Sequence, residues 1–260
     1  MARILIIRFS ALGDVAMTIP VIHSLAVQYP QHEITVLSRA VWQPLFQGLP
    51  ANVGFVGADL TGKHKGLWGL NCLYSELKAM HFDYIADFHH VLRSKYLCLR
   101  FRLANKPVAS ICKGRAGKKK LVRRHDKVME NQKSSFRRYA DVLEKLGLPV
   151  LLNFSSIYGE GKGNFAEIEP VTGPKEDQKW IGIAPFAKHA GKIYPLELQE
   201  QVIAHFAANP KVKVFLFGGG KSEQDVFDAW IAKYPSVVSM IGKLLSLIHI
   251  SEPTRRTPIS

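Results

Sequence analysis

Residues 3–20 read RILIIRFSALGDVAMTIP, and this stretch decides the fold. An apolar run from Arg3 to Phe9 leads into a turn of small residues, Ser10 to Asp14, and then into apolar positions at helical spacing from Val15 to Tyr29. This order predicts a strand, a turn and a helix, which together start a parallel α/β sheet. Pro20 lacks a backbone donor, so we expect the start of the helix to be irregular.

The same alternation continues along the chain. Strands are predicted over Glu33–Ser38, Asp83–Phe88 and Val108–Cys112, and later over Trp180–Ala184, Val212–Phe217 and Val237–Met240. Helices are predicted over Leu73–Met80, Phe136–Leu146, Leu196–Ala208 and Ser222–Tyr234. The fold class is therefore α/β, with two Rossmann-like, doubly wound domains that face a cleft.

Composition suggests where the two domains begin and end. Residues 1–154 form the predicted first domain, residues 155–179 a linker rich in Gly, Pro, Glu and Lys, and residues 180–244 a second domain. The second domain has three predicted strands where a doubly wound sheet has about five or six, so we expect it to be incomplete. Residues 245–260, LSLIHISEPTRRTPIS, resemble translated sequencing-adapter read-through and are predicted to be non-native, the alternative being a genuine polar tail.

Charge is concentrated in one part of the chain. The net charge is +14, and all of the excess lies between Arg93 and Arg138, where sixteen Lys and Arg accompany only Asp126 and Glu130. Such a block predicts an anionic partner, namely a phosphorylated lipid, a membrane surface or nucleic acid, unless it is only a solvated loop.

The cysteines and the N-terminus indicate the compartment. Cys72, Cys98 and Cys112 are odd in number and far apart, so the sequence predicts buried thiols without disulfides or a zinc site. Arg8 and Asp14 interrupt the N-terminal apolar run, and no run approaches the roughly 20 residues that span a bilayer. We therefore predict a cytoplasmic protein.

The turn after the first strand is the first candidate site. Ligands of open α/β sheets bind at the carboxyl ends of the strands. Ser10 lies in this turn, Gly13 is expected to allow a tight turn and close approach of a substrate, and Asp14 supplies a carboxylate. From the local residues alone, Asp14 fits a helix cap better than a catalytic group.

A second candidate site follows the strand that ends at Phe88. Asp87, His89 and His90 suggest a metal, but adjacent histidines point to opposite faces and no third ligand is evident. Hydrogen bonds to an acceptor are the better interpretation for Asp87 and His89. Candidates for contacts to acceptor phosphates are Arg93, Lys95, Arg100 and Arg102, any one of which is otherwise a solvated charge.

A glycine-rich turn in the second half suggests a nucleotide. Residues 217–223, FGGGKSE, follow a predicted strand, but a P-loop would need a glycine at position 215, which is Phe215. A P-loop kinase is therefore disfavoured.

Four stretches together resemble the ADP-heptose:lipopolysaccharide heptosyltransferases, glycosyltransferase family 9. They are RFSALGDVAMTIPVIHSL from Arg8, FDYIAD from Phe82 with Leu92–Ser94, Arg138-Tyr139 ahead of Leu146-Gly147, and GKIYP from Gly191. These pieces occur in order with similar spacing over roughly residues 2–243. The resemblance implies a GT-B-like fold.

The resemblance also implies roles for individual residues. Asp14 corresponds to the catalytic base, and Lys192 corresponds to the lysine at the diphosphate of the donor. Helix dipoles would also offset the negative charge of the diphosphate, so no metal or other cofactor is expected. Gly218 and Gly219 would lie beside the nucleotide. Glu223 is a candidate for the ribose hydroxyls or, equally, a helix-capping acid. Phe186 to His189 depart from the small hydroxyl residues common in the family. A further donor-site turn that relatives carry downstream is not found in this sequence, so the donor site is expected to be incomplete and the activity of the chain stays open.

The implied activity is inverting transfer of a heptose from ADP-heptose to the inner core of lipopolysaccharide. Its partners would be ADP-heptose or a related nucleotide-sugar, a phosphorylated lipid A-core acceptor bound through Ser10, Gly13, Asp87, His89 and Arg93, and the anionic inner face of the cytoplasmic membrane. The alternative is a nucleic-acid-binding protein that uses the Arg93–Arg138 segment. That segment has few aromatics and no recognised motif, so no nucleic-acid partner is expected.

Overall fold

The computed structural model describes residues 1–155, 168–187 and 189–243. The chain divides into two compact units, Met1–Gly161 and Lys162–Ser260. The residues predicted as a tail, 245–260, and the first part of the predicted linker, 156–167, lie outside the described residues.

The first unit is built on a five-stranded parallel sheet. Its strands are β1 (Arg3–Ile7), β2 (Glu33–Arg39), β3 (Val53–Ala58), β4 (Tyr84–Asp87) and β5 (Val108–Ser110), in the spatial order β3-β2-β1-β4-β5. Its helices are α1 (Leu12–Ala16), α2 (Ile19–Gln28), α3 (Gly66–Lys78), α4 (Leu92–Leu103), α5 (Arg115–Leu121) and α6 (Ser135–Glu144). The strand order reverses between β1 and β4, and ligands of doubly wound sheets bind at such a point.

Strand β1 is central because every residue from Ile4 to Ile7 is fully buried. Leu5 and Ile7 pack in a cluster with α3 and α4. On the other face, α6 contacts β4 and β5, and Tyr139 stacks on Phe88 with ring centroids 4.7 Å apart. Alternate residues of a strand point to opposite faces, so this continuous apolar run serves two helical layers.

The predicted break at Pro20 is confirmed. Helix α1 ends at Ala16 and α2 begins at Ile19, so Pro20 occupies the first turn of α2, where its missing N–H needs no partner. The prediction of buried thiols holds for Cys98 but is wrong for Cys72 and Cys112, which are exposed.

The second unit has a three-stranded parallel sheet in the described residues. Its elements are α7 (Glu169–Thr172), β6 (Lys179–Ile183), α8 (Leu196–Ala207), β7 (Val212–Leu216), α9 (Lys221–Lys233) and β8 (Val237–Ser239), with strand order β6-β7-β8. Part of the predicted linker belongs to this unit, because Thr172 is buried and its carbonyl accepts a hydrogen bond from Lys213 at 2.6 Å. The α/β prediction, with parallel sheets alternating with helices, is confirmed.

Candidate functional site

The candidate site of the first unit lies where β1 and β4 end side by side. Ile7 pairs with Asp87, so the residues that follow the two strands meet at one edge of the sheet. The backbone after β1 is held firmly, because Ser38 donates to the carbonyl of Arg8 at 2.5 Å and Trp42 donates to the carbonyl of Phe9 at 3.0 Å. The turn with Ser10 and Asp14 is therefore anchored on β2 and on the 3-10 helix Ala40–Phe46.

Arg8 and Asp14 form an ion pair in this turn. The Nη2 of Arg8 lies 2.5 Å from Oδ2 of Asp14, and its Nη1 donates to the carbonyl of Phe88 at 2.8 Å. The Arg8 side chain is 9% exposed, whereas that of Asp14 is 45% exposed. One guanidinium thus joins the turn after β1 to the end of β4 and leaves the carboxylate open to solvent.

Asp14 does not cap a helix with its side chain. It lies inside α1, whose N-cap is Ala11, and α1 has no side-chain capping bond. Its backbone carbonyl accepts a hydrogen bond from the buried Tyr139 hydroxyl at 3.2 Å, which ties the turn to α6. The cap interpretation left open by the sequence is therefore wrong.

Gly13 has no backbone reason to be glycine. It lies in α1 and is not among the glycines with positive φ, so the expected tight turn is not what requires it. A Cβ added there would meet nothing within 4 Å. Glycine costs roughly 0.5–1 kcal/mol relative to alanine inside a helix, so neither the backbone nor the packing of the protein itself explains the glycine at this position.

Asp87 holds the turn after β4 through buried hydrogen bonds. It is fully buried, and its Oδ1 accepts from the backbone N–H groups of His89 at 2.9 Å and His90 at 2.8 Å. Its Oδ2 accepts from the hydroxyl of Ser94 at 3.1 Å, with Ser110 at 3.5 Å. The structure therefore gives Asp87, predicted as an acceptor contact, the role of shaping the turn that carries His89.

His89 is held as a neutral side chain. Burial, followed by the charge of Arg8, lowers the pKa of His89 from 6.5 to about 4. Its Nδ1 accepts from the backbone N–H of Phe9 at 3.4 Å, so the neutral ring carries its proton on Nε2. The ring is thereby a hydrogen-bond donor beside Arg8.

Cations surround this edge of the sheet. Burial, followed by the charges of Arg115 and Arg8, lowers the pKa of Lys113. Arg93 is exposed in the first turn of α4, where the helix dipole disfavours a positive charge. Such an arrangement suits an anionic ligand. Lys113 and Arg8 were not singled out from sequence, although an arginine directly after a buried strand signals a buried charge that needs a partner.

In the second unit, the candidate donor residues follow β6 and β7, which are paired and parallel. Lys192 is exposed at the end of the 3-10 turn Ala190–Lys192, just ahead of α8. Phe186 packs on Phe227 of α9, with ring centroids 5.7 Å apart, which links the loop after β6 to α9. Lys188 lies outside the described residues.

The glycine-rich turn after β7 is closed by Glu223. The backbone N–H of Gly219 donates to Glu223 Oε2 at 2.8 Å, and a Cβ on Gly218 would come within 2.6 Å of the same oxygen. Glu223 therefore organises the turn at the start of α9. Its carboxylate retains other lone pairs that could accept from a ribose hydroxyl.

One cluster in the first unit has a composition that could hold a metal. Ligand atoms of His64, Cys72 and Glu76 lie within 4.8 Å of one another. However, His64 Nδ1 accepts from the backbone N–H of Asp59 at 3.1 Å, so the neutral ring carries its proton on Nε2, toward Glu76. Lys63 also pairs with Glu76 at 2.5 Å. Metal-bound histidines donate from their second nitrogen, so these contacts favour an ion-pair cluster.

Comparison with known proteins identifies the fold. No protein-family model and no curated protein matches the chain. Among solved structures, a glycosyl transferase family 9 protein from Veillonella parvula is similar at 19% identity, covering 94% of this chain and 70% of its own, with a TM-score of 0.69. The chain has a GT-B-like fold. The fold expected from the resemblance is therefore confirmed.

Two Escherichia coli structures are also similar. Heptosyltransferase WaaC with ADP-2-deoxy-2-fluoro heptose has 16% identity, 94% coverage of this chain, 77% of its own and a TM-score of 0.65. ADP-heptose lps heptosyltransferase II has 19% identity, 92% and 72% coverage, and a TM-score of 0.55. At these identities the likeness establishes the fold and leaves the chemistry to the site residues.

Proposed function

We propose that the protein is an inverting glycosyltransferase that moves a heptose from ADP-heptose to the inner core of lipopolysaccharide. The observation that carries this proposal is the half-exposed Asp14 carboxylate, held by Arg8 at the switch point of the first sheet. It is supported by the fold shared with solved heptosyltransferases.

Asp14 is proposed as the general base. Arg8 occupies Oδ2, and among the described residues no partner is found for Oδ1, which is therefore available to accept a proton. The acceptor hydroxyl would transfer its proton to Asp14 while its oxygen attacks the anomeric carbon of the donor. The bond from that carbon to ADP breaks on the opposite face, so a single displacement inverts the configuration.

The acceptor is proposed to bind at the cationic edge of the first sheet. His89 would donate from Nε2, and Arg93 and Lys113 would contact phosphates of a phosphorylated lipid A-core acceptor. Ser10 and Gly13 line the open turn beside Asp14. Asp87 holds His89 and the start of α4 in place.

The donor is proposed to bind the second unit. Lys192 would offset negative charge on the leaving diphosphate, and the turn with Gly218, Gly219 and Glu223 would receive the nucleoside. This arrangement calls for no metal or other cofactor. We further propose that the protein works at the inner face of the cytoplasmic membrane. No helix within the described residues combines the length and apolar character needed to cross a bilayer.

Transfer assays with the protein test this proposal. ADP-heptose and a phosphorylated lipid A-core acceptor are supplied, and the anomeric configuration of the product is determined by NMR. We expect transfer with inversion. A product with retained configuration would contradict the proposal. Tight binding of single-stranded DNA without affinity for ADP or ADP-heptose would also contradict it and would favour the nucleic-acid alternative.

A further inference from the structure

Helix α4 presents leucines on its solvent side as well as in the core. Its inner face is buried through Leu97, Cys98 and Phe101. On the outside, Leu92 is 86% exposed, Leu99 51% and Leu103 74%. Spacings of seven and four residues put these three on one side of the helix, so they form a stripe about 16 Å long. We refer to Leu92, Leu99 and Leu103 as the leucine face.

Cations border the leucine face. Arg93, Lys95 and Arg102 are exposed, and α4 contains no acidic residue. At 100° per residue, Arg93 falls on one side of the stripe, and Lys95 and Arg102 fall on the other. Arg100 is engaged elsewhere, because its guanidinium lies over the Tyr74 ring and donates to Asn71.

Neighbouring α3 also exposes apolar side chains. It packs against α4, and its first turn exposes Trp68 at 88% and Leu67 at 66%. Helix α3 follows β3 and α4 follows β4, and both strands run parallel to β1 in the same sheet. Both helices therefore begin at the carboxyl edge of this sheet, where Asp14 lies. Single exposed leucines are ordinary, but an aligned set bordered by cations indicates an interaction surface.

We propose that the leucine face inserts into the interface of an anionic bilayer, with Lys95 and Arg102 contacting lipid phosphates. A convex apolar stripe flanked by long basic side chains matches the way interfacial helices lie in a membrane. Lys and Arg bury their stems beside the apolar stripe and keep their charges at the headgroups.

A second copy of the chain fits this surface poorly. Two leucine faces brought together would place their bordering cations against each other, which is unfavourable. Three leucines also offer far less than the roughly 800 Å² per partner of a standard protein interface. Charge complementarity therefore favours an anionic lipid surface.

The inference takes from the proposed function only that the acceptor lies in an anionic membrane. It is tested by co-sedimentation with vesicles of phosphatidylglycerol and phosphatidylcholine, a measurement that needs no turnover and so can fail or succeed independently of transferase activity. The test variant combines Leu92→Asn, Leu99→Asn and Leu103→Asn. The matched control combines Val27→Asn, Val41→Asn and Leu151→Asn, three exposed apolar residues elsewhere in the same unit.

We expect the test variant to lose at least about tenfold in vesicle partition, including the binding that persists at high salt, while the control and the melting temperature of both stay near wild type. Wild-type binding by the test variant would overturn the proposal. The proposal would also be overturned if the wild-type protein dimerised and the test variant lost this dimerisation but kept its vesicle binding. The leucine face would then join two copies of the chain.

Discussion

Arg8 contacts both halves of the candidate site, pairing with the Asp14 carboxylate at 2.5 Å and donating to the Phe88 carbonyl at 2.8 Å. The guanidinium is buried, and its Nε has no partner in the described residues. Burying a charge with an unsatisfied donor is costly, so this arrangement is expected where a carboxylate must be held in one position.

Replacement of Arg8 by Lys should separate positioning from folding. A single ammonium cannot reproduce the two-pronged contact, so we expect the rate of transfer to fall about tenfold. Arg8→Met should also leave the Phe88 carbonyl without its hydrogen-bond donor, which should lower the free energy of unfolding by about 1–3 kcal/mol. Arg3→Lys, in the exposed pair with Glu33, is the matched control. Equal kinetics in wild type and Arg8→Lys would remove the positioning role.

Asp14→Asn tests the general base. The change keeps the size of the side chain but removes its proton acceptor, so kcat for heptose transfer should fall about 10²- to 10⁴-fold. ADP affinity should stay near wild type. The melting temperature should fall modestly, because Asn can still accept a hydrogen bond from the buried Arg8 guanidinium but no longer supplies its counter-charge. The control Asp83→Asn changes an exposed carboxylate just before β4 and should leave the rate unchanged. Near-normal turnover by Asp14→Asn would refute the assignment.

Gly13→Ala should act on stability and ligand binding in opposite directions. Alanine fits the helical backbone and the open space, so unfolding free energy should rise by roughly 0.5–1 kcal/mol. If an acceptor approaches this backbone closely, KM for the acceptor should rise as well. Urea denaturation and steady-state kinetics measure the two effects, and an unchanged KM would show that the space is not used.

The neutral state of His89 predicts a loss of stability in mild acid. Its pKa is about 4 in the folded protein, below the ordinary 6.5, so the unfolded chain binds the proton first as pH falls. The stabilising contribution is complete above about pH 6.5 and is lost as pH falls toward 4. We expect a loss on the order of 2 kcal/mol between pH 7 and 5 that is absent in His89→Gln. Identical pH profiles for the two proteins would contradict it.

The basic residues on and after α5 should contribute salt-sensitive membrane binding. The side chains of Lys118, Lys119, Lys120, Arg123 and Arg124 are all exposed, and α5 buries none of its residues. Changing all five to Gln should weaken sedimentation with anionic vesicles at low salt, and high salt should have the same effect on wild type. The control changes five exposed lysines elsewhere to Gln, namely Lys65, Lys78, Lys179, Lys211 and Lys221. Unchanged binding would make the segment an ordinary solvated surface.

Much of the fold could be predicted because buried parallel strands are continuous apolar runs, as in Ile4–Ile7 and Val212–Leu216. Strand β3 was missed, since Gly54 and Gly57 break its apolar pattern. Helix α4 was missed because Leu92, Leu99 and Leu103 add apolar residues to its outer side and obscure the helical period. The exposed leucines of α4 cannot be distinguished from core leucines by the spacing of apolar residues along the chain.

The candidate site was predicted in part. The position of Asp14 after β1 follows from strand and turn signals, and its proposed role follows from the family resemblance. The partnership of Arg8 with Asp14 and Phe88 joins residues 80 positions apart and depends on the register of β1 with β4. No spacing along the chain reveals such a contact. The inward orientation of Asp87 likewise becomes visible only when its backbone partners are in place.

The Asp87 network has a consequence for how this protein can diversify. Because a buried carboxylate, two backbone amides and the Ser94 hydroxyl hold the turn, its geometry does not depend on the exposed side chains beyond it. Arg93 and Lys95 can therefore change identity with little penalty to the scaffold. Mutational tolerance should be high at these two positions and low at Asp87 and Ser94, so the charges that the turn presents can vary while the frame that holds them stays intact.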